Sequence, residues 1–428
     1  MFAALVGCAP PPAAVRSIEA PVEQPRDQVR QYTIWLGGAR VGTAIERETW
    51  TPAGVHLRRD EDLRFARGDA DVALATTIEI DANAALVASH VRWTQLAAGE
   101  TAAEAVRGED GWQVSTGIRL PASAVPAELV PLLVRRDGSF AGRVFLPARG
   151  FVAGSGRIEP VAPGRLVARF SFDSPSTRGR ADGDPEAAGG GARAESTIDL
   201  DRDGSPARVV DGEGVIELRA SADQARAPFA PVDLVAATAV PIAGERCASC
   251  VRRLVLEGDL ALPPVPGQAA RPAPTGGELV LDRALPGDLP AGEPGPDRAG
   301  EIATIVAAVR ARITPDLGAA HTTAADAAVA TAGDCTTFAL AYAALATSRG
   351  IPTRVVTGLR IDDDGARLVR HRWAVSWTGR AWIAVDAAFG SAPAGGNLVG
   401  LAVHDADDAG LVAGEAALAA VRAATWSR

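Results

Sequence analysis

The 428-residue chain contains no lysine, so all 43 of its basic residues are arginine, and aromatic residues make up only 5% of it. Arginine in place of lysine throughout is read as base-composition bias rather than chemistry. Against 52 acidic residues the net charge is −9. Such a chain lacks the clustered cations that displace counterions from phosphates, which excludes a general nucleic-acid binder. Long apolar runs are also missing: none approaches the roughly 20 residues of a spanning helix. The best interior candidate, Cys335 to Ser348, is too short and has amphipathic helical periodicity. The 47% hydrophobic content is largely alanine, which points to a globular chain. Its length predicts two to three domains at roughly 150 residues each.

Cysteine is scarce, with four residues: Cys8, Cys247, Cys250 and Cys335. The first follows Leu5-Val6-Gly7, and this tetrad resembles the lipobox of bacterial lipoproteins. Pro10, Pro11, Pro12, Pro21 and Pro25 make the following stretch a stiff tether. Residues 1–29 are therefore expected to be a lipobox-like N-terminus and proline-rich tether. The resemblance implies a lipid anchor at Cys8 and a place in the bacterial cell envelope, facing the periplasm. In that oxidising compartment the lone Cys247-x-x-Cys250 is expected to form a local disulfide. It has neither the second pair nor the histidines of a zinc site.

Residues 30–258 are dominated by period-2 alternation and turn signals, as in Thr76-Thr77-Ile78-Glu79-Ile80, and are expected to form a β-rich domain. Val125 to Arg136 interrupts it as a helix, and Ser174 to Ala194 reads as a Gly/Pro-rich insertion. The segment Tyr32 to Gly42 resembles the opening of envelope-lipoprotein β-domains with a curved half-barrel. Asp199-x-Asp201-x-Asp203-Gly204 matches half of a calcium loop, but its twelfth position is Val210, so a hairpin is expected instead. Proline and glycine crowd residues 259–299, which read as a linker. A second domain, 300–428, opens with a helical stripe of Ile302, Ile305, Val306, Val309 and Ile313.

The chemistry concentrates between Ala332 and Gly390. Asp334 is a good N-cap, Phe338, Ala341, Tyr342 and Leu345 follow at helical spacing, and Gly350-Ile351-Pro352 stops the helix. Cys335 thus stands on a first helical turn. The unpaired N–H groups there and the positive end of the helix dipole stabilise negative charge on sulfur or on an oxyanion. Three strand-like runs follow: Thr353 to Ile361, Ala366 to Trp377, and Arg380 to Val385. A two-residue Thr378-Gly379 turn would pair Trp377 with Arg380 and set His371 directly opposite Asp386, on one sheet face. Arg354 is read as a structural ion pair, and His56, His90, His321 and His404 receive no function.

These elements are Gly333-Asp334-Cys335, Gly350-Ile351-Pro352-Thr353-Arg354, His371-Arg372-Trp373 and Trp382-Ile383-Ala384-Val385-Asp386. In this order they resemble the core of the transglutaminase-like superfamily, papain-related thiol enzymes. The resemblance implies an α+β fold, a C-terminal transglutaminase-like (papain-like) domain of helix plus antiparallel sheet, preceded by the β-rich N-terminal domain. It implies Cys335 as nucleophile, His371 as general base and then acid, and Asp386 as its orienting partner, acting on a protein or peptide substrate. The sequence gives no persuasive cofactor, and for the calcium activation known in some relatives it has no complete metal ligand set. The chain departs from bacterial relatives at Thr336-Thr337-Phe338 and Asp386-Ala387-Ala388, so substrate contacts do not carry over. Hydrolysis is favoured over amine transfer. A cross-linking transglutaminase and a non-catalytic scaffolding lipoprotein are the alternatives.

Overall fold

The structure is a computed structural model that describes residues 26–97, 99–173, 193–211, 214–244, 252–319, 321 and 323–427. The expectations for Cys8 and its tether, for the Ser174 to Ala194 insertion and for Cys247 and Cys250 lie outside the described residues, apart from the strand that begins at Arg193. No described helix is long and apolar enough to cross a membrane.

Fifteen strands between Gln28 and Ala220 form one sheet. Two runs of neighbouring strands meet where the first, Gln28–Leu36, pairs antiparallel with the last, Val215–Ala220. The two edge strands, Arg119–Leu120 and Val125–Pro126, are consecutive in the chain. The five-residue step between them spans at most about 17 Å, so the sheet must curl until its edges nearly meet. A core of Trp93, Trp112, Phe145 and Phe151 fills one end, with helix Val130–Asp137 packed against the sheet. Asp201 to Ser205 is the expected hairpin, with Gly204 at φ +74°.

The second sheet has nine strands. In chain order its elements, with the helices between them, are β1 (Val240–Ala243), β2 (Arg252–Gly258), β3 (Gln268–Ala273), β4 (Gly276–Leu281), α1 (Ala299–Arg312), α2 (Ala324–Val329), α3 (Cys335–Ser348), β5 (Thr353–Ile361), β6 (Arg367–Trp377), β7 (Trp382–Val385), β8 (Leu398–His404), α4 (Asp408–Ala419) and β9 (Val421–Trp426). Its order is β3-β4-β2-β9-β1-β6-β5-β8, with β7 added alongside β6.

This corrects the expected boundaries. The stretch 259–299 is not only a linker, because β3 and β4 lie within it, and β1 and β2 belong to the C-terminal sheet although they precede residue 259. The cause is burial: Leu254, Leu256, Leu279 and Leu281 alternate inward with Trp426 in one apolar cluster. Pro272 is tolerated because β3 is an edge strand. Farther on, Trp377 and Trp382 donate their indole N–H groups to the carbonyls of Glu293 and Pro290 at 2.9 Å, which ties down the remainder of that stretch.

α1 and α3 pack together through the expected stripe, Ile302, Ile305, Val306 and Val309 meeting Phe338 and Tyr342. The Tyr342 hydroxyl also pairs with that of Ser376 on β6 at 2.8 Å.

One buried side chain makes this unit sensitive to acid. His404 is held neutral: Nδ1–H donates to the Asp405 carbonyl at 2.7 Å, and Nε2 lies 2.8 Å from the Thr357 hydroxyl, which in turn accepts from Arg372 Nε. Burial lowers the imidazole pKa from 6.5 to about 4. The unfolded chain therefore takes up a proton first as pH falls below 6.5. Stability is expected to drop between pH 6.5 and 4 by on the order of 3 kcal/mol. Urea denaturation across that range, compared with His404→Gln, checks this: the variant should lose that part of the slope.

Candidate active site

Cys335 is the first residue of α3, and the capping residue Asp334 fixes how that turn begins. Asp334 Oδ1 accepts from the backbone N–H groups of Thr336 (2.9 Å) and Thr337 (3.4 Å). The Cys335 N–H is not among those it takes, which leaves that donor beside the sulfur for a developing oxyanion. The other oxygen, Oδ2, accepts from Arg67 at 2.7 Å. Arg67 ends strand Gly54–Arg67 of the N-terminal sheet, so that sheet reaches the cap of the cysteine helix directly.

The strand that carries His371 is registered differently from the expectation. Trp377 pairs with Trp382, not with Arg380, and the connection is the four residues 378–381. The Thr378 hydroxyl accepts from the N–H groups of Arg380 and Ala381, which stabilises the longer turn. Gly379 sits at φ +94°, where a Cβ would meet the Pro296 carbonyl oxygen at 2.4 Å. The pairing shifts by two residues, the period of a strand, so the side-chain faces are kept. Asp386 follows the end of β7 and reaches His371 diagonally rather than from directly opposite.

The geometry is close. His371 Nε2 lies 2.8 Å from Asp386 Oδ2, and both residues are buried, at 5% and 3% exposure. Asp386 Oδ1 accepts the Phe389 N–H at 3.3 Å, and the backbones of Asp386 and Ser391 bond to each other in both directions. With Nε2 committed, Nδ1 is the nitrogen left for the half-buried Cys335 sulfur. Burial works against protonation of the imidazole, but hydrogen bonding to Asp386 and then to Cys335 outweighs it and raises the His371 pKa to about 10. At neutral pH the ring is therefore an imidazolium between a carboxylate and the sulfur. Trp373 stacks on it at 6.0 Å and Phe389 meets it edge-on at 5.5 Å.

Three residues that serve this site were not singled out from the sequence. Arg372, the residue between His371 and Trp373, donates to the Thr336 hydroxyl at 2.9 Å and to that of Thr357 at 3.0 Å, and pairs with Glu415 on α4. It thereby ties the strand of the histidine to the turn of the cysteine. Arg67 and Phe389 complete the set, and their partners lie too far away in sequence or on an irregular loop to leave a local signal. Behind that turn a cavity of about 270 Å³ runs along the seam between the two sheets, lined by Arg67, Asp334, Thr336, Arg372 and Glu415 among others. Arg354 pairs with Asp405, the expected structural role.

Glu415 is half-buried, and Arg372, Arg370 and Arg149 outweigh its desolvation to keep its carboxyl below the ordinary range. Removing Arg372 strands much of that charge. Arg372→Met is expected to cost about 3 kcal/mol in urea denaturation. The double variant with Glu415→Gln should recover part of the loss, the coupling expected of a half-buried pair.

Residues 290–387 match the family model described as transglutaminase-like superfamily. Among solved structures, a candidate cysteine protease from Cytophaga hutchinsonii aligns over 30% of this chain and 42% of its own, at 24% identity and a TM-score of 0.23. A DUF1089 family protein from Pseudomonas aeruginosa aligns over 38% of this chain and 87% of its own, at 11% identity and a TM-score of 0.25. The chain thus spans less than half the length of the first of these. A search of curated proteins gives no match. The span matched by the transglutaminase-like superfamily model, residues 290–387, holds the cysteine, histidine and aspartate just described.

Proposed function

We propose that this chain is a thiol enzyme that cleaves or transfers acyl groups of peptide or glutamine amides through a Cys335 thioester. The single observation that carries this reading is the buried His371–Asp386 pair at 2.8 Å with the Cys335 sulfur as the imidazole's other partner. The sulfur attacks the amide carbon, forming the C–S bond, and the oxyanion is met by the Cys335 N–H. The His371 imidazolium gives its proton to the leaving amine as the C–N bond breaks. Water or a second amine then attacks the thioester, passes a proton to His371, and the C–S bond breaks to restore the thiolate–imidazolium pair.

Hydrolysis is favoured, with a cross-linking transglutaminase as the second reading. The absence of lysine means that the enzyme offers no lysine amine for cross-linking to itself. A glutamine-rich protein incubated with a fluorescent primary amine separates the two: fragments, or conversion of glutamine to glutamate, without label mean hydrolysis, and label without fragments means transfer. Neither product would leave the non-catalytic scaffold. The envelope location is part of the proposal and rests on the lipobox-like Leu5 to Cys8. Intact mass of the membrane-extracted protein must carry a diacyl or triacyl increment on Cys8, and an unmodified mass removes the anchor.

A further inference from the structure

Beyond the imidazole, on the Asp386 side, lies a groove of about 310 Å³ that the proposed chemistry does not use. Two guanidiniums line it. Arg283, just past the end of β4, is exposed, and among the described residues its side chain has no hydrogen-bond or ion-pair partner. Arg360, near the end of β5, lies over the Phe389 ring at 4.3 Å from the ring centroid. Its carboxylate partner, Asp363 at 2.8 Å, is 93% exposed, and a solvated pair of that kind contributes little. A ligand carboxylate can displace it at small cost.

The one acid in the lining, Asp386, is already neutralised by the His371 imidazolium. The groove therefore carries two positive charges without a buried counter-charge. Ser391 and Asn397 add neutral hydrogen-bonding groups to its wall. Phe389, 55% exposed, links groove to chemistry, since one edge of its surroundings is the His371 ring and the other is Arg360.

His371 protonates the departing amine, and Phe389, in edge contact with that ring, also lines the groove. We infer that the groove is a subsite for the leaving part of the substrate and selects a carboxylate there, an acidic residue following the scissile amide. The inference rests on the thiol-enzyme reading and names its substrate class.

Two blocked peptides test it, dansyl-Ala-Ala-Glu-amide and dansyl-Ala-Ala-Gln-amide, which differ by one charge. For cleavage before the third residue, the Glu peptide is expected to have a KM about ten-fold lower at similar kcat. Arg283→Gln with Arg360→Gln should erase the difference between the two peptides. Equal KM values in the wild type, or a preference that survives in the double variant, would overturn the subsite. Fluorescence anisotropy of the same peptides on Cys335→Ala reads the groove without turnover. Preferential binding of the Glu peptide, lost with the two arginines, in a wild type that cleaves neither peptide would keep the subsite and reject the thiol-enzyme reading. Neither cleavage nor preferential binding would reject both.

Discussion

Cys335→Ser is expected to leave a folded protein whose acyl-transfer activity is at least about three orders of magnitude lower. The substitution is nearly isosteric at a half-buried helix N-terminus, and Asp334 caps the turn whatever side chain follows it. What is lost is the thiol nucleophile. A thiol ionises within reach of the imidazolium and a hydroxyl does not. A second consequence follows at His371. Its pKa of about 10 draws on the Cys335 sulfur as well as on Asp386, so the value must fall in the variant while staying supported by the carboxylate. An NMR pH titration of the His371 ring reads this directly. An unchanged titration would mean that sulfur and imidazole do not interact.

Asp386→Asn is expected to lower activity by about two to four orders of magnitude with little change in the fold. The wild-type carboxylate divides its work: Oδ1 accepts from the Phe389 N–H, and Oδ2 accepts from His371 Nε2. An asparagine that keeps its oxygen on Phe389 turns its amide N–H groups toward Nε2. That nitrogen must then accept, the ring becomes neutral with its proton on Nδ1, and the sulfur faces an N–H donor instead of a base. The substitution also has a signature in stability. Because the folded pKa of His371 lies above its unfolded value of 6.5, its protonation stabilises the fold fully below pH 6.5 and that contribution is lost as pH rises toward 10. Urea midpoints should fall across this window in the wild type and fall less in Asp386→Asn.

Most of the site is legible in the sequence because its parts are local. A capping aspartate before a cysteine, a Gly-Ile-Pro stop after the helix and a strand ending just before Asp386 each follow from neighbouring residues. The turn after Trp377 was harder, since a threonine hydroxyl that closes a four-residue loop looks like any Thr-Gly pair. The error was harmless because strand faces repeat every two residues.

What stayed hidden depends on distance. Nothing near Arg67 indicates that its partner is Asp334, at the cap of the cysteine helix. The curl of the large sheet follows from the pairing of its first and last strands together with the short step between its two edges, and period-2 alternation does not encode that pairing. The second sheet draws β3 and β4 from a region whose prolines and glycines suggested a linker, and the leucines of β2 and β4 bury against residues as distant as Trp426, near the end of the chain. The lipobox-like cysteine and the Cys247-x-x-Cys250 pair lie outside the described residues, so their roles rest on sequence alone.

The central claim is that Cys335 and His371 form one reactive pair, and the pH dependence of Cys335 alkylation by iodoacetamide tests it most directly. Labelling is followed by peptide mass spectrometry in the wild type and in His371→Ala. The pair predicts rapid labelling of the wild type already at pH 6, and labelling slowed by about ten-fold or more at that pH in the variant, where no imidazolium supports the thiolate. Slow wild-type labelling at pH 6 that His371→Ala leaves unchanged would contradict it and leave Cys335 as a structural residue.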